Sequence, residues 1–392
     1  MRKGYITVYL SLVTGILLSL LLTVIEGVRM HTIRTQTECV MDMAMDSALA
    51  EYHREMLEQY ELFFIDMSYG GTSPAFSNTE EHIRNYMNMN FRPYELFEIP
   101  VGKDLTGLSA DGVDLQQAAI ASDEKGAVLK KQAITYMKDK WGLGFLEQAA
   151  VNAGLIQTGG FLGTDVELRR NETEKQVKEA ILNKEEQEAE DWEGKNVELP
   201  SDVVNEARGE GILKLAVKNS ASLSRESIPK AALYTGRSNK MEGTGLPSGV
   251  EPPSGVSDTC LFLKYVMDKC GYYNQIKDGS SFSYQVEYIL QGKGNDLDNL
   301  RGMANQILLV REAANVAYLF SDGQKKSEAR GAALLITGVL GMPELEEPVT
   351  QLILFAWGYA ESVKDLRMLF DGEKVPIIKD SGSWNTPFSQ LL

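Results

Sequence analysis

The chain has 392 residues, of which 43% are hydrophobic and 24% are charged, and its formal net charge is −16. This composition is typical of a folded protein rather than a disordered one. The acidic balance argues against binding to nucleic acid. Three cysteines are too few for a disulfide framework and their spacing fits no metal motif, so we predict free thiols.

The chain begins with a short basic stretch, residues 1–4, followed by an uncharged apolar run over residues 5–25. As a helix, this run would be ~31 Å long, which matches the hydrocarbon thickness of a bilayer. A cleaved secretory signal is the alternative. Such a signal has a shorter apolar region, ~7–15 residues, and a small-x-small cleavage site that is missing here. We therefore predict an uncleaved transmembrane helix over residues 5–25.

The charges that flank this run indicate its orientation. Arg2 and Lys3 precede it and favour a cytoplasmic N-terminus. Arg29, His31 and Arg34 follow it and argue partly for the opposite orientation. On balance we predict a single-pass protein of the cell membrane. Residues 1–4 would form a cytoplasmic tail, and the bulk of the chain would be extracytoplasmic.

Small residues recur at every fourth position of the apolar run and would form one stripe along the helix. In lipid, such a stripe lets two helix backbones approach closely. The alternative is that the serine and threonine hydroxyls only bond back to their own helix. The regular spacing favours packing, so we predict membrane lipid and other membrane helices as partners. The stripe consists of Thr7, Ser11, Gly15, Ser19 and Thr23.

Residues 26–68 continue the helical pattern beyond the predicted membrane span. No proline occurs from Glu26 to Asp66, and apolar residues recur close to a 3.6-residue period. This pattern predicts one long helix, half in the membrane and half projecting from it as a stalk. The glycine pair at Gly70 and Gly71 is expected to end the helix.

Residues 69–234 are predicted to form a mixed α/β part of the ectodomain. Residues 94–101 and 113–121 alternate or favour β structure, so we interpret them as strands. Residues 125–140 and 201–222 carry helical patterns.

A highly charged segment, residues 165–195, carries a thin apolar stripe. We interpret it as a solvated helix with pairs such as Glu174 and Lys178, rather than as an acidic tract that binds a partner. Residues 235–257 are rich in Gly, Ser and Pro, which predicts a surface loop or a linker at an internal boundary.

Residues 258–392 are predicted to form a helical C-terminal part with short strands. The ectodomain as a whole is therefore expected to be α+β and mostly helical, on a long N-terminal transmembrane and stalk helix. Helices are predicted over residues 259–270, 297–319, 325–340 and 344–370, and strands over residues 281–290 and 374–379, the last confined to a sheet edge by Pro376.

The sequence contains no recognisable active-site pattern. The three histidines lie in the first quarter of the chain, and no zinc-protease, phosphate-loop, nucleophile-elbow or dinucleotide motif is present. The segment 292–294, Gly-Lys-Gly, is interpreted as a tight turn. The acidic cluster at Glu344, Glu346 and Glu347 is explained by the start of a helix. We predict no catalytic residue, no metal and no cofactor.

The N-terminal region nevertheless resembles a known class of proteins. A short basic start that ends in Gly4, a hydrophobic helix and a helical stalk resemble type IV pilin-like proteins. The residues after the span resemble the juxtamembrane pattern of TadE/TadG-like proteins from tight-adherence (Flp) pilus systems. The residues that carry this second resemblance are Glu26, Gly27, Arg29, Arg34, Gln36 and Asp42.

Further stretches extend the resemblance. Residues 51–66 and 358–369 resemble an uncharacterised Gram-positive family found with such pilus genes. The pilin resemblance implies processing after Gly4. One position departs from it, since Tyr9 stands where typical pilins carry a glutamate.

Two functional hypotheses follow. The first is a membrane-anchored pilin-like or pilus-assembly protein, structural or scaffolding and without catalysis, whose span packs against other pilin-like or pilus-assembly helices. The alternative is a membrane-anchored extracytoplasmic enzyme or ligand-binding sensor domain. The missing active-site pattern favours the first hypothesis.

Overall fold

A computed structural model of the chain describes residues 4–71, 73–92, 106–141, 163–187, 198–229, 242–278, 280 and 282–390. The chain forms two compact units. The first comprises residues 1–139 and 241–253, and the second comprises residues 140–240 and 254–392. The described residues are mostly helical in both units.

Four helices belong to the first unit: α1 (Gly4–Ala50), α2 (Arg54–Tyr60), α3 (Phe76–Phe91) and α4 (Asp123–Trp141). Their small core forms where the second half of α1 packs on α3. Ala44 and Ala48 of α1 are buried there against Ile83 of α3. The buried residues of α1, Val40, Ala44 and Ala48, recur at a four-residue spacing, which places their side chains on one helix face.

Helix α1 is shorter than the single long helix that the sequence predicts. It ends at Ala50, and residues 51–53 leave the helical conformation before α2 begins. The His53 N–H donates to the carbonyl of Phe64, and Tyr52 forms an isolated antiparallel bridge with Ile65. Pairing with a later segment thus replaces the next helical turn. The side chain of His53 then caps α2, because its Nδ1 accepts the Met56 N–H at 3.1 Å.

The second unit is built around α12 (Glu346–Phe370), which is buried along most of its length. The unit's other helices precede it in the chain. They are α5 (Gly163–Gln187), α6 (Pro200–Gly209), α7 (Ile212–Ala216), α8 (Gly255–Lys269), α9 (Gln285–Gln291), α10 (Asp296–Ser321) and α11 (Gly323–Leu340). Short 3-10 turns cover Ser220–Ser222, Pro343–Leu345 and Phe388–Gln390.

Two apolar clusters flank α12. One contains Trp357 of α12 with Leu319 of α10 and Leu340 of α11. The other contains Leu366 of α12 with Leu300 of α10 and Val204 of α6. Apolar side chains of α12 therefore contact apolar side chains of α6, α10 and α11, as expected for a helix rich in apolar residues.

The close approach of α10 and α12 depends on Gly358. A Cβ atom built at this position would lie 2.5 Å from Cγ2 of Val316. A side chain here would therefore force the two helices apart or displace the valine.

The helices predicted over residues 125–140, 297–319, 325–340 and 344–370 are confirmed as α4, α10, α11 and α12, within a few residues at each end. The charged helix is confirmed as far as Gln187, including the ion pair of Lys178 with Glu174 at 2.7 Å. Residues 188–195 lie outside the described residues. The predicted helix over 201–222 is divided into α6, α7 and a short 3-10 turn.

Among the described residues, the predicted strands are not found. Residues 113–121 and 374–379 are extended or bent but pair with no neighbouring strand. The prediction of a mostly helical chain is confirmed, and its α+β part is not. Residues 281–290 are mainly helical, since α9 begins at Gln285. The Asp296 carboxylate accepts the backbone N–H groups of Ser283 and Tyr284, which supports this helix start. The predicted strand at 94–101 lies outside the described residues.

Candidate functional site

The first half of α1 is exposed along the predicted membrane span. Its large apolar side chains other than the half-buried Val13 range from 81% exposed at Tyr5 to 52% at Ile25. The helix is long and apolar enough to cross a membrane. A signal sequence near an N-terminus meets the same criterion of length and composition.

The small-residue stripe lies on this exposed half of α1. Thr7, Ser11 and Thr23 each donate their hydroxyl to a backbone carbonyl of the same helix, at 2.8–2.9 Å. A Cβ atom built at Gly15 would meet no atom within 4 Å. These three hydroxyls are thus satisfied within α1, and the surface beside Gly15 is open.

The juxtamembrane residues lie along α1 and do not converge into a pocket. Arg29 lies 3.8 Å from the Glu26 carboxylate, and Arg34 lies 3.4 Å from Glu38. Both are exposed pairs between neighbouring helical turns. Gln36 is half-buried, whereas Asp42 is exposed. Gly4 is the first residue that the structure describes and is helical, and Gly27 has open space around it.

A polar cluster closes the end of α1. The Glu51 carboxylate contacts Nδ1 of His82 at 3.1 Å and accepts the Tyr86 hydroxyl at 2.7 Å. This hydrogen bond favours the neutral phenol and raises the pKa of Tyr86 to about 12. The His82 ring stacks on Tyr69 with ring centroids 3.7 Å apart. The cluster joins the end of α1 to α3 and to the segment that precedes it.

An apolar cavity of about 620 Å³ lies in the first unit. Its polar lining groups already have partners. Gln132 bonds the backbone of Phe63, Asp66 accepts from Ser68, and His53 caps α2. The remaining lining is mainly apolar and includes Met45, Leu49, Phe76, Ile83 and Leu115. The cavity therefore suits an apolar ligand rather than a charged one.

A cluster of charged side chains is buried in the second unit. Arg311 of α10 donates to Oδ2 of Asp365 on α12 from both Nε and Nη2, at 3.0 and 2.6 Å. Lys379 lies 2.6 Å from Oδ1 of the same carboxylate and also pairs with Glu361. The Lys379, Glu361 and Asp365 side chains are 0% exposed. Asn315 donates to Asp365 at 2.9 Å and completes the cluster.

The same cluster holds the segment that follows α12. Nη1 of Arg311 donates to the carbonyls of Pro376 and Ile377, at 2.7 and 3.1 Å. Two cations thus meet two anions on α12, which leaves the buried group neutral. These contacts also explain why residues 374–379 form no strand, because their carbonyls and Lys379 are bound to the helices instead.

A second buried charge lies further along the second unit. Nη2 of Arg208 donates to both oxygens of the Glu312 carboxylate, at 2.9 and 2.8 Å. Burial raises the pKa of Glu312, and the charges of Arg208 and Arg170 oppose that shift. The Arg208 guanidinium also lies 4.9 Å from the centre of the Tyr359 ring. This pair links α6 to α10 and α12.

Sequence reasoning missed both buried charge clusters. One signal was visible, since Glu361 and Asp365 stand four positions apart on a helix whose other residues are mostly apolar. Their partners come from distant positions, which only the fold brings together. Among the residues that the structure describes, no group of three His, Cys, Asp or Glu side chains is arranged to hold a metal ion.

These features define a mostly helical protein with one long apolar helix near its N-terminus and a buried ionic cluster in its second unit. A family model matches residues 190–392, which is more than half of the chain. The chain belongs to that family, DUF5702, which is described as a family of unknown function. No curated protein and no solved structure matches the chain.

Proposed function

We propose that this protein is a membrane-anchored structural component of a tight-adherence (Flp) pilus-assembly system, without catalysis. Its N-terminus would be cytoplasmic and its two units extracytoplasmic. The observation that carries the proposal is the division of α1. The half before Ile25 exposes apolar side chains on all sides, whereas the half after Val40 is built into the first unit. One continuous helix would thus serve as both anchor and scaffold.

The surface of the span supports assembly with other helices. Since the hydroxyls of Thr7, Ser11 and Thr23 are satisfied within α1, they add no unpaired polar group to a helix contact. The open space beside Gly15 would let a second backbone approach closely. The resemblance of residues 26–42 to TadE/TadG-like proteins supports pilus-assembly helices as the partners in this proposal.

The test is the substitution Gly15→Leu, which places a branched side chain where two backbones would be nearest. Contacts of this kind contribute ~1–2 kcal/mol each, so partner recovery should fall about tenfold. The matched control is Leu17→Ile, which keeps the span apolar and lies on the opposite face from Gly15, since two helical positions turn the chain by about 200°. Both variants are expressed at equal abundance and cross-linked in membranes. Equal recovery of partners from the two variants would contradict the proposal.

Cys39 provides a test of orientation. It is exposed on α1, 14 residues beyond Ile25, which corresponds to ~21 Å of helix. If the two units are extracytoplasmic, a thiol reagent that cannot cross membranes should label Cys39 in intact cells without a wall. The Cys39→Ser variant is the control, with the labelled peptide identified by mass. Labelling of Cys39 only after membrane lysis would reverse the proposed orientation.

The cavity of the first unit favours a second candidate function, a membrane-anchored module that binds an apolar ligand. Its volume of about 620 Å³ lies within the usual range of small-molecule sites. Ala119 lines it and is exposed, so Ala119→Trp should fill it without disturbing the core. Small molecules extracted from purified full-length protein would be compared between the wild type and this variant. Identical extracts would contradict ligand binding in the cavity.

A further inference from the structure

The ammonium of Lys379 is enclosed with two carboxylates and no water-exposed surface. The side chains of Lys379, Asp365 and Glu361 are each 0% exposed. An amine and a carboxylic acid in contact are the reactants of an amide, and water is the other product. Three conditions favour the amide here: the reactants are fixed in contact, water is excluded, and two desolvated charges are removed.

We propose that Lys379 and Asp365 are the site of a spontaneous intramolecular amide bond. The step begins when the ammonium gives up a proton and its Nζ attacks Cγ of Asp365. The bond between Cγ and Oδ1 then breaks, and Oδ1 leaves as water with two protons that came from the ammonium. Atoms and charges balance, since one ammonium and one carboxylate become one neutral amide and one water. The step needs no oxidant, reductant or cofactor.

The contacts of Asp365 assign it as the electrophile. Its Oδ2 accepts three donors: Nε of Arg311 at 3.0 Å, Nη2 of Arg311 at 2.6 Å and Nδ2 of Asn315 at 2.9 Å. These donors would stabilise the negative charge that develops on Oδ2 when the carbon is attacked. Its Oδ1 accepts no hydrogen bond, although Nζ of Lys379 lies 2.6 Å away. The amine of Lys379 therefore does not lie along a hydrogen-bonding direction of Oδ1, which is the oxygen that would leave.

Glu361 is placed to carry the proton. Its Oε1 accepts from Nζ of Lys379 and from the backbone N–H of Asn385 at 2.9 Å. Its Oε2 is buried and has no hydrogen-bond partner. The carboxylate can thus take a proton from the ammonium and return it to Oδ1 as that oxygen leaves. Glu361 is unchanged at the end of the step.

The positive and negative charges of the cluster still balance after the amide bond forms. Before the step, Arg311 and Lys379 face Asp365 and Glu361; afterwards Arg311 and Glu361 remain as one cation and one anion. Two buried charges have disappeared, and the segment after α12 is joined covalently to that helix. This inference is independent of the proposed membrane role.

Peptide mapping of the folded full-length protein tests the proposal. Trypsin cuts after Lys364, Arg367 and Lys374 but not after an acylated Lys379. The expected product is peptide 365–367 joined to peptide 375–392, with the summed mass less one water. Full recovery of free peptides 365–367 and 375–379 would overturn the proposal. A link to peptide 331–364 would also overturn it, because Glu361 would then be the electrophile.

Three variants separate chemistry from folding, with tryptophan fluorescence as the check that each is folded. Lys379→Arg keeps the cation but lacks the amine, so the linked peptide should be missing. Asp365→Asn should give the same linked peptide by loss of ammonia instead of water. Glu361→Gln should slow linkage after refolding by ~10²-fold or more. Linkage at the wild-type rate in Glu361→Gln would overturn the role of that carboxylate.

Discussion

Helices α1 and α12 are both strongly apolar, yet their surroundings are opposite. The apolar run of α1 covers residues 5–25 and is exposed except at Val13, whereas α12 is buried along most of its length. The longest apolar run of α12, residues 349–360, has 12 residues and is too short to span a bilayer. Length therefore separates the two helices better than hydrophobicity does.

The polar groups of the two helices differ in the same way. On α1 the hydroxyls of Thr7 and Thr23 bond carbonyls of their own helix and need no partner from elsewhere. On α12 the carboxylates of Glu361 and Asp365 are completely buried and depend on cations from other segments. Helix α1 is thus self-sufficient in an apolar solvent, while α12 is stable only inside its own protein. Three substitutions test this contrast.

The largest effect is expected from Arg311→Met, which removes one cation from the buried cluster of α12. An acidic charge is then left without compensation, and the free energy of unfolding should fall by about 3–5 kcal/mol. The control is Arg301→Met on the same helix, whose pair with Asp298 is half exposed and should contribute less than about 1 kcal/mol. Chemical unfolding followed by tryptophan fluorescence measures both. Equal losses would mean that burial of the cluster does not matter.

A smaller effect is expected from Gly358→Ala. Alanine favours a helix by about 1 kcal/mol over glycine, but the clash with Val316 should cost about 1–3 kcal/mol. The net change should be a loss of stability. At Gly331 on α11 a Cβ atom would meet nothing within 4 Å, so Gly331→Ala should raise the stability slightly. Thermal unfolding of the two variants should give shifts of opposite sign; shifts of the same sign would contradict the packing argument.

The smallest effect concerns Glu287 of α9, whose pKa is raised by burial and further by the Asp296 carboxylate. The folded state then holds the proton more tightly than the unfolded state. Stability should therefore fall as the pH rises from the ordinary glutamate value of 4.5 through the raised value, and then level off. Glu287→Gln should lack this fall, while the exposed Glu344→Gln should keep it. Unfolding curves across this pH range would show parallel profiles for all three proteins if burial of Glu287 were unimportant.

The long helices were predictable because each carries an apolar period over many residues. The segment 344–370 shows this period clearly, and α12 occupies nearly the same residues. The helix at Gln285–Gln291 was not predictable from the sequence, because large apolar residues recur at every second position, as in a strand. These residues are Phe282, Tyr284, Val286 and Tyr288. The two residues that precede the helix, Ser283 and Tyr284, donate their backbone N–H groups to Asp296, which lies beyond the segment. The local sequence pattern does not reveal a partner that lies outside it.

The end of α1 shows a similar limit. Nothing in residues 26–66 breaks a helix locally, yet His53 and Tyr52 pair with Phe64 and Ile65 instead of forming another turn. The buried ionic cluster was only half visible in the sequence. Glu361 and Asp365 share one face of a helix, but the arginine and lysine that neutralise them reach them only through the tertiary fold.

The continuity of α1 fixes an angular phase between the predicted span, residues 5–25, and the rest of the first unit. Each residue of an α-helix turns the chain by about 100° and advances it by about 1.5 Å. A single residue inserted between Ile25 and Val40 would therefore rotate the rest of the first unit by about 100° around the axis of α1. It would move that part along the axis by only about 1.5 Å. Insertion of seven residues would nearly restore the phase and raise the unit by about 10 Å. The direction in which the rest of the first unit faces around the axis of α1 is thus set by the number of residues between Ile25 and Val40.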